Sequence, residues 1–204
     1  MTPSPDCPLP TADCRLPLVL VAGLGRCGTS LALAMLAAGG VPVLGEAPGF
    51  EPPEADFGAE ARLPAGVAVK FLDPHRRPAP TVRPRLAIWL DRNPVEQAKS
   101  QIRFVRLAGL RAEDNRSARA KWVAMLVRDR SRSVAALKSA GTPLRIFLFE
   151  SLIQAPEVSA AALAAYLAPW WRLDTAAMAA VVRRRGPAAE PDDRAAAHLL
   201  GGFS

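Results

Sequence analysis

Cysteine and histidine are scarce in this chain of 204 residues, with three of the first and two of the second. Cys7, Cys14 and Cys27 contain no C-x-x-C pair, so neither a disulfide framework nor a structural zinc site is expected. His75 and His198 do not suffice for a histidine-rich metal centre, and no metal is expected. Long apolar runs are missing too: no stretch approaches the ~18 uninterrupted apolar residues of a membrane span. The opening, MTPSPDCPLPTADCRLP, has neither the basic beginning nor the apolar middle of a secretory signal, so residues 1–17 are expected to be a flexible Pro-rich leader and the location cytoplasmic. Nor is there a basic surface motif interleaved with aromatics, which argues against nucleic acid as a partner.

Half of the residues are apolar and 22% are charged, the balance of an ordinary globular domain with room for a sizeable core. The net charge of +7 favours an anionic ligand such as a nucleotide or a sulfated or phosphorylated substrate, although an Arg- and Ala-rich coding sequence gives the same sign by itself.

Short branched apolar runs bounded by Pro and Gly predict strands at Leu18–Ala22, Val41–Leu44, Val67–Leu72, Leu86–Leu90 and Leu144–Phe149. Helical patterns occupy Thr29–Ala38, Pro94–Leu107, Ala118–Ala140, Glu157–Leu167 and Thr175–Arg185. The Gly-, Pro- and acid-rich segment Gly45–Pro64 reads as a long surface loop. Strands alternating with helices imply an α/β domain with a mostly parallel sheet, whose ligands bind at the carboxyl ends of the strands. Three polar clusters fall there: GRCGTS, KFLDPH and DRNP.

The first cluster closes GLGRCGTS, Gly23–Ser30. It has the glycines and hydroxyls of a phosphate-binding P-loop, G-x-x-x-x-G-K-[ST], but Thr29 stands in the lysine slot and the cation comes earlier, as Arg26. Backbone N–H groups of Arg26, Cys27, Gly28, Thr29 and Ser30 can converge on a phosphate at a helix N-terminus, with hydroxyls from Thr29 and Ser30; a plain glycine turn is the other reading. Without the lysine, no ammonium meets the β/γ-phosphates of ATP or GTP. In WLDRNPVEQAKSQ, Arg92 lies at a strand end and Ser100 in the following helix; pairing of Arg92 with Asp91 is the plain alternative to ligand binding.

Taken together, GRCGTS and then Arg92-Asn93-Pro94 with Ser100 resemble the two cofactor signatures of the sulfotransferase family, P-[KR]-S-G-T-[TS] and R-[DN]-P with a helical serine. Lys70 on the intervening strand, LRIFLFESLIQAP and the helical ALAAYLAP follow in the family's order, so the resemblance runs from about Leu18 to Pro169 and is closest to small bacterial members. It implies a three-layer P-loop NTPase-like fold with a mostly parallel central sheet flanked by helices, over residues 18–186, with 187–204 as a tail. It further implies 3′-phosphoadenosine 5′-phosphosulfate (PAPS) as co-substrate without a metal. The loop and helix start hold the 5′-phosphosulfate, Arg92 and Ser100 grip the 3′-phosphate, and Arg26 stabilises the leaving phosphate. Gly25 and Cys27 depart from the signature's proline and serine.

The acceptor hydroxyl needs a general base. Glu51, in a GFE segment resembling the family's G-Y-F-E, is the leading acid among Glu46, Glu51 and Glu54, and His75 is the other candidate. Lys70 is expected to contact the sulfonate or to pair with Asp73. Arg183–Arg185 resemble a late basic segment on the 3′-phosphate, with a helix-end role as the alternative. The expected activity is sulfonate transfer to a hydroxyl of a small-molecule or glycan acceptor. The rival expectations are a non-catalytic PAPS- or nucleotide-binding module and, behind it, an ATP-dependent phosphotransferase.

Overall fold

The structure is a computed structural model and describes residues 16–52 and 63–182. The expected leader up to residue 15, the tail 187–204, Glu54, Arg183–Arg185 and His198 lie outside the described residues.

Four apolar segments form a parallel sheet: β1 (Leu18–Gly23), β2 (Ala68–Leu72), β3 (Arg85–Asp91) and β4 (Leu144–Leu148), in the order β2-β1-β3-β4. β1 lies between β2 and β3, with Val21 opposite Lys70 on one side and Ile88 on the other. Every residue of β1 and β3 is buried, as expected of central parallel strands covered on both faces.

Alternation along the strands separates two cores. Val19, Val21, Ala68, Ile88, Leu90 and Phe147 face helices α1 (Thr29–Ala38), α5 (Pro156–Leu167) and α6 (Thr175–Ala180). Leu20, Ala22, Val69, Phe71, Ala87 and Trp89 face α2 (Pro94–Leu107) and α3 (Arg116–Ser139). The result is the expected three-layer P-loop NTPase-like α/β fold. Among the described residues, no helix is long and apolar enough to cross a membrane.

Three local differences from the sequence expectation have physical causes. Val41–Leu44 makes only one bridge, Val43 to Ala68, because Pro42 has no N–H to extend the ladder. The apolar run LRIFLF leaves its strand at Leu148, and Phe149 opens a short helix, α4 (Phe149–Gln154). Helix α3 begins at Arg116 because the Asn115 side chain accepts from the Ala118 N–H at 2.8 Å and caps it.

The far end of α3 is fixed by a buried cation. At the start of β3, Arg85 donates to Thr142 Oγ1 at 2.7 Å and to the Ala140 carbonyl at 2.6 Å, so the guanidinium satisfies a carbonyl that the helix end leaves open.

Because β3 is central and buried on both faces, Ile88→Ala leaves a cavity against α1 and α5 and is expected to cost about 2–5 kcal/mol. Urea unfolding measures it; a loss below that of a surface substitution would contradict the packing described.

Candidate functional site

The order β2-β1-β3-β4 places the loop after β1 between the carboxyl ends of β2 and β3. In that loop the Cys27 N–H donates to the Leu24 carbonyl at 3.2 Å, closing a tight turn with Gly25 and Arg26 inside it. Arg26 has φ 66° and Gly28 φ 101°, so left-handed residues alternate with ordinary ones, the pattern that turns successive N–H groups toward one point. Gly28 is the N-cap of α1 and supplies no side-chain acceptor, which leaves first-turn donors for an anion. Glycine is required there twice over, by its φ and because a Cβ would overlap the Phe149 ring.

On the β3 side, Asn93 caps α2 by accepting from the Val95 and Glu96 N–H groups, and Pro94 occupies the first turn. The Arg92 guanidinium donates through Nη1 to the Arg26 carbonyl at 2.9 Å and lies 4.5 Å over the Phe149 ring. Asp91, the partner in the plain alternative, pairs with Arg130 of α3 at 2.5 Å. Burial pushes the Asp91 carboxyl above its ordinary range, an effect that Arg130 partly opposes. Arg26 turns to α2, where its Nε donates to Ser100 Oγ at 3.3 Å and its guanidinium stacks 5.3 Å from the Phe104 centroid. Arg26, Arg92 and Ser100 thus meet on one side of the loop.

On the β2 side, Lys70 ends with its amine buried, 6% exposed. It donates to the Gly49 carbonyl at 2.6 Å and forms an ion pair with Glu51, which is 39% exposed. Ser30, in the first turn of α1, donates to the same Gly49 carbonyl at 3.1 Å. Lys70, Glu51 and Ser30 therefore form a second group, across the loop from the arginines. Lys70 pairs with Glu51 and not with Asp73, the partner expected as its alternative.

Cys27 sits between the two groups, its side chain buried in the core beneath Gly23. Desolvation pushes its thiol up to about 12, despite backbone N–H groups and the Lys70 and Arg92 charges that pull it down. Thr29 is also buried. His75 goes elsewhere: its Nδ1 lies 2.8 Å from Ser133 Oγ of α3, its Nε2 accepts from Arg76, and Asp129 is 3.7 Å away. The structure does not bring His75 to the Lys70–Glu51 group. Among the described residues, no group of His, Cys, Asp or Glu is arranged to hold a metal ion.

Four neighbours of the loop had no site role in the sequence reading: Gln97, Gln101, Phe104 and Phe149. Gln97, Ser100, Gln101 and Phe104 share one stripe of α2 at helical spacing, so the face could have been drawn once Ser100 was singled out. Phe149 gave no such signal, because it looked like the last residue of a strand.

Because Cys27 is buried and neutral, it should resist a thiol–disulfide reagent at pH 8.5 in a Cys7→Ser/Cys14→Ser protein and react at once when unfolded. Rapid labelling of the folded protein would contradict this. The sign also follows for stability. A raised thiol pKa contributes stability that is full below the ordinary value of 9.0 and is lost as pH rises toward about 12.

No protein-family model matches the chain, and no curated protein matches it. Solved structures do. Retinol dehydratase in complex with androsterone and inactive cofactor PAP is similar with a TM-score of 0.51 and 16% identity, over 79% of this chain and 62% of that one. Retinol dehydratase in a complex with retinol and PAP gives a TM-score of 0.46 and 14% identity, over 93% and 65%. The chain spans less than two thirds of the length of either. At such identity, what the first of these structures shares with this protein is the fold.

Proposed function

We propose that this protein is a sulfotransferase that moves a sulfonate group from PAPS to a hydroxyl of a small-molecule or glycan acceptor. The observation that carries the reading is the meeting of Arg26, Arg92 and Ser100, from segments far apart in sequence, beside the glycine loop that opens α1. The similar retinol dehydratase structure holds PAP, the desulfated form of PAPS, and this supports the choice of co-substrate.

In this reading the start of α1 binds the 5′-phosphate, and Arg92 with the Ser100 hydroxyl binds the 3′-phosphate. Transfer forms a bond between the acceptor oxygen and sulfur and breaks the bond from sulfur to the bridging oxygen. Negative charge grows on that oxygen, and Arg26 at the loop tip is the cation to stabilise it. The acceptor proton goes to Glu51. One Glu51 oxygen is held by Lys70, which orients the carboxylate and leaves the other oxygen for the acceptor. Lys70 also supplies positive charge for the sulfonate oxygens. His75, whose ring nitrogens are engaged by Ser133 and Arg76, is the weaker choice of base.

A magnesium-dependent phosphotransferase needs a strand-end carboxylate beside the loop, and Asp91 is committed to Arg130 on the α3 face. A second reading, a module that binds PAPS without turnover, is favoured by the buried Cys27. The signature serine would offer a hydroxyl to the anion, whereas this thiol points into the core.

Calorimetric titration with PAP, beside ADP and ATP without magnesium, tests the reading. A charge-assisted phosphate contact of ~1.5–3 kcal/mol predicts that PAP binds at least about ten-fold more tightly than ADP and that Arg92→Ala removes the preference. ATP binding as well as PAP or better would overturn the reading in favour of the phosphotransferase.

A further inference from the structure

We propose that Gln97 is a positioning residue that fixes the orientation of the Gly25–Arg26 peptide and thereby forms the anion-binding shape of the loop. The inference rests on the loop's role as an anion site, and it concerns a residue that is not itself one of the signature positions.

The turn from Leu24 to Cys27 has a positive φ at its third residue, Arg26, but not at its second, Gly25, which is the type II pattern. That third position favours glycine; an arginine there costs on the order of 1 kcal/mol or more. A flip of the Gly25–Arg26 peptide converts such a turn to type I, relaxes Arg26 to an ordinary φ and reverses the peptide. In a trans peptide the C=O and N–H point opposite ways, so the flip would swing the Gly25 oxygen to the side where the Arg26 N–H now points.

Gln97 opposes that flip. Its side chain is 4% exposed, and its Nε2 donates to the Gly25 carbonyl at 2.8 Å and to the Leu24 carbonyl at 3.4 Å. Arg92 holds the next carbonyl, that of Arg26. The outward-facing oxygens of the turn are thus gripped from behind, and the flipped state would forfeit the Gln97 bond inside a buried site. The sequence adds a reason for the arrangement. The signature resembled by this loop has proline where Gly25 stands, and proline fixes its own φ. Here the Gln101 amide lies 3.1 Å from where a Cβ on Gly25 would sit, so α2 fills the space and Gln97 supplies the constraint.

The test compares Gln97→Leu and Gln97→Glu with the parent protein. Gln97→Leu removes the donor at similar size. Gln97→Glu replaces it with an acceptor facing two carbonyls. In the ligand-free parent, NMR should show a strong NOE from Gly25 Hα to the Arg26 N–H, the mark of the type II peptide. In both variants it should weaken in favour of an N–H to N–H NOE between the same residues. PAP affinity should fall roughly ten-fold, as loss of a buried hydrogen bond that holds a binding geometry predicts. Signals of β4 and α5 should be unchanged, which separates local reorientation from unfolding. An unaltered NOE pattern, or unaltered PAP affinity, in a folded variant would overturn the proposal. If one substitution prevents folding, the other decides. Should the parent protein fail to bind PAP, the sulfotransferase reading fails, while the ligand-free NOE comparison still decides the role of Gln97.

Discussion

The contact on which the site depends is the Arg92 guanidinium lodged between the Phe149 ring and the Arg26 carbonyl. It joins three pieces of chain just beyond the point where the sheet ladder stops holding them: the end of β3, the loop after β1 and the turn from β4 into α4. Phe149 in turn covers Gly28, so the same ring supports the arginine and restricts the start of α1 to a residue without a side chain. Glu150, the next residue, accepts from the Asn93 N–H at 3.0 Å and ties the entrance of α2 to the same corner. A planar cation is suited to this place, because it stacks on one face and donates at its edge.

Across the loop the logic is electrostatic. Lys70 carries a buried amine, and a buried charge is tolerated only with a partner and hydrogen bonds around it. The segment after Val43 supplies both, a carbonyl from Gly49 and a carboxylate from Glu51. Phe50, between them, adopts φ 54° and buries its ring. The stretch from Gly49 to Glu51 is thus held against β2 by one buried lysine, and Ser30 anchors the same carbonyl to α1.

Much of this was legible in the residues. Helices α1 and α2 begin where the sequence placed them, at the hydroxyls after the glycine turn and at Pro94, whose ring suits a first helical turn. The apolar runs of β1 and β3 are short, branched and punctuated. The strand at Val41–Leu44 misled because composition ignores the missing donor of Pro42. α4 was hidden because LRIFLFE is apolar in either conformation and periodicity cannot mark the switch. At the site, Arg26, Lys70, Glu51, Arg92 and Ser100 were named from the chain, but which of them touch was not. His75 followed Lys70 closely enough to invite a role beside it, yet the chain turns at Asp73, with φ 51°, and delivers the imidazole to α3.

The exchange of proline for Gly25 has a consequence for how self-contained the octapeptide is. A phosphate loop stiffened by its own proline carries its shape within a strand–loop–helix unit and can be moved to another scaffold as a cassette. In this protein the loop's carbonyls are gripped from outside it, by Gln97 of α2 and by Arg92 just after β3. GLGRCGTS therefore does not carry its own shape: the contacts that hold it run from β1 through α2 and on to Phe149 of α4.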